Sequence, residues 1–330
     1  RVVVQVTTAR GERLHQHLGL HWLFDPDPAL RLEAARALGG LLDALDPELG
    51  AWLPRLCRLL PDDDARRHLE AMMADRAQAP DRPPLDQSAE AWASIPDGAG
   101  TQMVFLAAGP ADDRRLALAM LRAGQGVQDA FTMVGDAANQ GETLTSIMQT
   151  DARRVPVEWA RTLLMAGAAE NLANATPPPP GFADILMAAG FTDVAVPSPE
   201  ADWLDRLRVR NDLAGLTKQK RGRLINASAH WSEDYTLVGM WFEGPGNFPD
   251  LPPRPSFGRM EKRVLSHLET RRGWWRELML RAAFVIQGNG DANWRSFAAT
   301  AQALVEGRPL KKVPIMEEIL ARSLDALQEA

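Results

Sequence analysis

The stretch FDPDPALRLEAARALGGLLDAL, residues 24–45, decides how the rest of the chain is read. Asp27 is suited to cap a helix, because its carboxylate can accept from the backbone N–H groups that a first turn leaves unpaired. Pro28 follows at the first helical position, where its missing N–H costs nothing. Leu30, Ala34, Leu38, Leu41 and Leu45 recur at three- and four-residue spacing and predict one apolar stripe. Arg31, Glu33 and Arg36 fall largely off that stripe. Gly39 and Gly40 each cost about 1 kcal/mol relative to Ala inside a helix. A close helix–helix contact offsets that cost, and a local break avoids it.

The segment before it, ARGERLHQHLGLHWLF at 9–24, reads as a preceding helix. The Asp-Pro start, Leu30-Arg31, Ala34-Ala35 and Leu38 then resemble the second helix of a HEAT/armadillo-type helical repeat, over about residues 9–45. The resemblance implies stacked hairpins whose surfaces recognise another macromolecule. An ordinary antiparallel helix pair is the alternative reading of the same residues. DPELGAWLPRLCRLL starts a further helix at Asp46 and Pro47, with Pro54 as a kink, and PDDDARRHLEAMMADRAQ starts one where Asp62, Asp63 and Asp64 complement the helix dipole. Beyond the opening pair no repeat recurs at a fixed period, which argues against a regular solenoid.

The expected fold is therefore mainly α, with HEAT-like antiparallel helix hairpins and a small β-containing section in the middle. The segments are 1–78 (helical hairpins), 79–150 (a Pro- and Gly-rich linker plus a small α/β section), 151–243 (helical and mixed), 244–256 (an extended Pro-rich linker) and 257–330 (a helical block). Within 95–135, TQMVFLA and GVQDAFTMV are expected strands, and DDRRLALAMLRAG an expected helix ending at Gly124. A helix is expected to open at Pro156, YTLVGMWFEG is β-prone, and the C-terminal block is expected to break near Gly273.

Composition narrows the function classes. Hydrophobic residues make up 45% of 330, ordinary for a globular protein with a sizeable core. Ala and Arg are abundant and Lys scarce, as GC-rich bacterial coding sequences produce. Cys57 is the single cysteine, which excludes an internal disulfide and most cysteine-based metal sites and fits a reducing cytoplasm. Set among Trp52, Leu53, Leu56, Leu59 and Leu60, it reads as a buried, inert thiol. No apolar run is long enough to span a bilayer, and RVVVQV is too short for a signal-peptide core. The chain opens on Arg1 rather than Met, so further sequence is expected upstream. The net charge of −6 is uneven: acids dominate 25–100, while bases dominate 206–223 and 254–312.

Several constellations could carry chemistry. His17 and His21 share a helix face, with His15, Asp25 and His68 as further ligand types, yet edge histidines of an amphipathic helix are the simpler reading and no metal or other cofactor is expected. His230, Glu233 and Asp234 lie beside Trp231, Tyr235 and Trp241, a candidate acid/base group in an aromatic pocket, with Glu243 a lesser member. Asp97 and Asp129 are a conceivable carboxylate pair on the β section. GQG at 124–126 and GNG at 288–290 lack the rest of a phosphate-binding loop and read as turns. Arg206, Arg208, Arg210, Lys218, Lys220, Arg221 and Arg223, followed by aromatics, are the candidate nucleic-acid segment, against which stands a pI near 5.6. RRGWWREL at 271–278 joins Arg271, Arg272 and Arg276 to Trp274 and Trp275, residue types enriched at binding hot spots. Adjacent helical residues diverge by about 100°, so the two Trp cannot share one contact.

A helical scaffold for another protein is the leading expectation. An enzyme with a pocket near 228–243 and a nucleic-acid binder through 206–223 are the alternatives.

Overall fold

The computed structural model describes residues 19–45, 50, 53–54, 56–57, 60–74, 90–109, 115–134, 151–179, 181–188, 203–207, 213–252 and 255–329. Most of the segment proposed as the first repeat helix lies outside them, although residues 19–22 are helical. The chain is mainly helical with a small five-stranded sheet of strand order β4-β3-β2-β1-β5, where β1 is Glu90–Ala93, β2 Thr101–Ala108, β3 Arg115–Arg122, β4 Gly126–Val134 and β5 Arg153–Val155. It divides into two compact units, both discontinuous in sequence. One takes Arg1–Trp92, Met103–Ser146 and Pro156–Glu200, and the other Ala93–Gln102, Ile147–Val155 and Ala201–Ala330.

In the first unit, α1 (Pro28–Gly40) begins as its sequence predicts. Asp27 accepts from Ala29 N–H at 2.9 Å, with Pro28 next to it. The helix stops at Gly40, with Leu41 as its C-cap, so the expected extension to Leu45 is not helical. Its buried face is Ala34, Ala35, Leu38 and Gly39, while Leu30, Leu41 and Leu45 are half-buried. Arg31 corrects the expectation most. It is buried, donating to the carbonyls of Asp25 (2.6 Å) and Pro26 (2.9 Å) and pairing with Asp63 at 2.6 Å. Asp63 also caps α2 (Asp64–Met73) by accepting from the N–H groups of Ala65 and Arg66. One carboxylate thus starts α2 and ties it to α1. Cys57 is buried, with Sγ 3.6 Å from the Arg66 carbonyl, and loss of solvent pushes its thiol up to about 12.

The hairpin β3–β4 corrects a second expectation. RLALAMLR was expected to be helical, since Leu, Ala, Met and Arg are good helix formers, yet it forms a strand paired antiparallel with β4, Leu118 opposite Phe131 and Ala119 opposite Ala130. Ala117, Ala119 and Leu121 are buried while Leu118, Met120 and Arg122 are less so, a period of two that tertiary packing imposes over propensity. A register irregularity lies between Met120 and Leu121, next to the Gly124–Gly126 turn, whose two glycines hold positive φ. The helix α3 (Val157–Ala173) opens after Pro156, as expected, and caps this end of the hairpin. The Asn171 amide accepts from Val127 N–H at 2.6 Å and donates to Val127 C=O at 3.1 Å. α4 (Phe182–Ala188) follows.

The second unit is helical around an aromatic core. After α5 (Trp203–Arg206), α6 (Lys218–Asn226) and α7 (Trp231–Asp234), the β-prone stretch YTLVGM instead makes a 3-10 turn, Thr236–Met240. Four long helices close the chain except for a single 3-10 turn between the last two: α8 (Phe257–Thr270), α9 (Arg272–Gly288), α10 (Trp294–Val305), the turn Leu310–Lys312, and α11 (Pro314–Glu329). The break between α8 and α9 falls at Arg271, two residues before the expected Gly273. Trp231 stacks on Phe297 with ring centroids 3.6 Å apart, and Trp241 and Tyr235 meet Phe297 edge-on. Trp231 Nε1 donates to Ser296 Oγ and Trp241 Nε1 to the Pro96 carbonyl, so both buried indoles are satisfied. Among the described residues, no helix is long and apolar enough to cross a membrane.

Candidate functional site

The segment Trp241-Phe242-Glu243 is extended at Trp241, so successive side chains point to opposite sides. Trp241 is buried, Phe242 is 38% exposed, and Glu243 is buried again at 2%. Glu243 is held there from its backbone outward. Its N–H donates to Ser323 Oγ at 2.8 Å, and that hydroxyl donates to the Ile319 carbonyl on α11. The turn Pro245–Asn247 then folds the chain back, so Asn247 Nδ2 reaches Glu243 Oε2 at 2.6 Å.

Two residues four apart complete the shell. His267 on α8 and Arg271 at the α8–α9 break bring Nε2 to 3.3 Å and Nη1 to 3.0 Å from the same Oε2. Phe248, buried after the turn, meets the His267 ring edge-on at 5.0 Å. The Arg271 guanidinium also lies over the Trp274 ring, 4.7 Å from its centroid. Glu243 Oε1 is buried and has no hydrogen-bond partner among the described residues. A carboxylate taken this far out of water is held only by its partners. The cluster can therefore fix one imidazole and one guanidinium, and through the guanidinium an indole, in set positions, while Phe242, next in the chain to Glu243, and Met240 are exposed.

The sequence-named residues divide around this cluster. Of the hot-spot group, Arg271 and Trp274 belong to it. Trp275 does not: it is fully buried against Trp241, out of reach of any partner. Arg272 donates to the carbonyls of Leu304 and Arg308 and pairs with Glu269, while Arg276 is half-buried. His230, Glu233 and Asp234 are exposed, His230 lying 3.4 Å from Glu233, while their neighbours Trp231 and Tyr235 turn into the core. The polar and aromatic side chains thus part company rather than lining one pocket. Glu243, named as the lesser member, is the buried one.

His17 and His15 lie outside the described residues. His21 Nε2 accepts from Gly181 N–H, and His68 lies beside Gly39. Among the described residues, no three His, Cys, Asp or Glu stand together to hold a metal ion. In the basic segment, Arg208 and Arg210 lie outside the described residues, Arg206 stacks on Trp203, and Arg221 pairs with Glu306 at 2.7 Å. Lys218, Lys220 and Arg223 are exposed. Asp97 and Asp129 serve local turns and caps, Asp97 accepting from Ala99 and Thr101 N–H and Asp129 from its neighbour Ala130.

Sequence reasoning missed Asn247, Phe248, His267 and Ser323. The available signal was the Gly-Pro-Gly-Asn bracket, a fold-back rather than a linker, and the four-residue spacing of His267 and Arg271. It also missed a polar network around Tyr235. That hydroxyl donates to Asp291 at 2.8 Å and accepts from Asn293, with the Arg153 guanidinium 4.6 Å above the ring. Burial above all drives the Tyr235 pKa well above that of an ordinary tyrosine.

Residues 201–328, which contain every member of the Glu243 cluster, match the family model described as the Y4lR C-terminal helical domain. No solved structure matches. The chain is similar to the uncharacterized protein y4lR of Sinorhizobium fredii (strain NBRC 101917 / NGR234), with 24% identity over 326 residues, 94% of this chain. It spans 62% of the length of that relative.

Proposed function

We propose that the chain is a helical scaffold whose C-terminal unit binds another protein through the surface that exposes Met240 and Phe242. The observation that carries this reading is the exposure of Met240 and Phe242, 52% and 38%, on the segment whose next residue, Glu243, fixes Arg271 over Trp274. Exposed apolar side chains and an ordered Arg–Trp pair tied to one short segment have the composition of a hot spot. Anchoring Arg271 in advance lowers the entropy that a partner must overcome.

HEAT-like packing of the N-terminal helices belongs to the same reading, supported by the Asp63 link between α1 and α2. A cytoplasmic location also belongs to it, supported by the reduced, buried Cys57.

The test is affinity capture with wild type and Phe242→Asp, compared after both show the same thermal melt. The expected result is a partner captured by wild type and lost in the variant. Equal capture by both discards this surface. Trp275→Ala is no substitute, because it opens the core instead.

A further inference from the structure

We infer that a second surface of the C-terminal unit binds the sugar–phosphate backbone of nucleic acid. The chain carries 37 cationic side chains, of which only five are lysine: Lys218, Lys220, Lys262, Lys311 and Lys312. All five are exposed, and they lie on only three elements: α6, α8 and the turn Leu310–Lys312. Ion pairs bring those elements to one loop. Arg221 of α6 pairs with Glu306 at 2.7 Å, and Lys311 pairs with Glu261 of α8 at 2.6 Å. Arg272 donates to the Leu304 and Arg308 carbonyls, and Arg308 Nε to the Lys312 carbonyl, so the loop between them is held in place.

Around that loop Lys218, Lys220, Arg223, Arg259, Lys262 and Lys312 are exposed, and none meets a carboxylate among the described residues. A single acidic side chain would need one preorganised fork, the geometry that Arg supplies. A run of lysine point charges on flexible stems matches a regular array of phosphates instead. Their mutual repulsion is relieved when a polyanion releases its condensed counterions. Phe257, 56% exposed and one helical turn before Glu261, which pairs with Lys311, adds a ring on which an unpaired base can stack. The net charge of −6 limits long-range attraction, so binding is strongest at low salt.

The experiment is fluorescence anisotropy on the full chain, with labelled oligo(dT) and a duplex of about 20 residues, at about 25 mM and about 150 mM KCl. About four phosphate contacts imply binding weaker at the higher salt by about 150-fold for oligo(dT) and about 600-fold for the duplex. Lys262→Ala/Lys312→Ala and Lys218→Ala/Lys220→Ala each weaken binding about tenfold at low salt and flatten the salt slope by about one to two. Phe257→Ala weakens oligo(dT) several-fold and leaves the duplex unchanged. All of these side chains are exposed, and an unchanged circular-dichroism melt checks that each variant folds. Three results overturn the inference: no anisotropy change at low salt, double variants that bind like wild type, or polyglutamate of equal charge displacing the oligonucleotide equally well. The last identifies an acidic protein as the partner instead.

Discussion

At the scale of single residues, burial decides which charges matter. Glu243 is 2% exposed and Arg271 is partly exposed, so the two ends of their bond are not equivalent. Arg271→Ala leaves a buried carboxylate with only Asn247 and His267 and is expected to cost about 3 kcal/mol. Glu243→Gln keeps an acceptor in place and returns Arg271 to water, at about 1 kcal/mol. Urea denaturation of both variants measures the difference, and the reverse order would show that the bond does not anchor the segment. Cys57 gives a second prediction. Its thiol, pushed up to about 12 by burial, stays protonated at pH 8, so a thiol reagent labels it only after unfolding. The sign of the stability effect follows. Between about pH 8.5, where an exposed thiol titrates, and 12, the unfolded chain gives up a proton that the folded chain keeps. The stabilisation is complete below that window and is lost as pH rises through it, and a Cys57→Ala chain loses less between pH 8 and pH 10.

At the scale of elements, the glycines separate a required conformation from a tolerated one. Gly126 holds φ +86 in the β3–β4 turn, and a Cβ there would lie 2.4 Å from Asn171 Oδ1. Gly126→Ala therefore strains the backbone and displaces the amide that satisfies Val127, at an expected cost above about 2 kcal/mol. Gly40 ends α1 with nothing within 4 Å of a Cβ, so Gly40→Ala is expected to stabilise by about 0.5–1 kcal/mol. Thermal melts of the two variants should move in opposite directions; movement in the same direction would contradict this account of the turn. The same elements mark what was legible in advance. Local chemistry announced the start of α1, since Asp27 and Pro28 act within one turn, and β4 and α3 were equally readable. β3 was not, because Leu, Ala and Met favour a helix and only pairing with β4 overrides them. Nor was the Glu243 cluster, whose partners sit 4, 24, 28 and 80 residues away. Sequence spacing shows which residues share a helix face, but not which distant segment that face meets.

At the scale of the whole molecule, the sequence match and the packed unit have different boundaries. The family model covers 201–328, whereas the unit that contains it also takes Ala93–Gln102 and Ile147–Val155. Those short segments have defined partners within the unit. Pro96 C=O accepts from the buried Trp241 indole at 2.9 Å, Gly98 lies so close to Met240 that a Cβ would come within 2.4 Å of its carbonyl, and the Arg154 carbonyl accepts from Asn289. A fragment of residues 201–330 lacks all three. It leaves a Trp241 N–H without its acceptor, at about 1–3 kcal/mol, and uncovers part of the aromatic core. The fragment is expected to fold, because α8 to α11 bury their own apolar faces, but with a lower urea midpoint than the same residues in the full chain. Tryptophan fluorescence reads this unit well, since Trp203, Trp231, Trp241, Trp274, Trp275 and Trp294 all lie within the fragment. Equal midpoints would mean that the short segments add nothing to the unit. A lower midpoint restored by supplying residues 93–102 as a peptide would identify the strand-proximal segment, rather than the helices alone, as what completes the aromatic core.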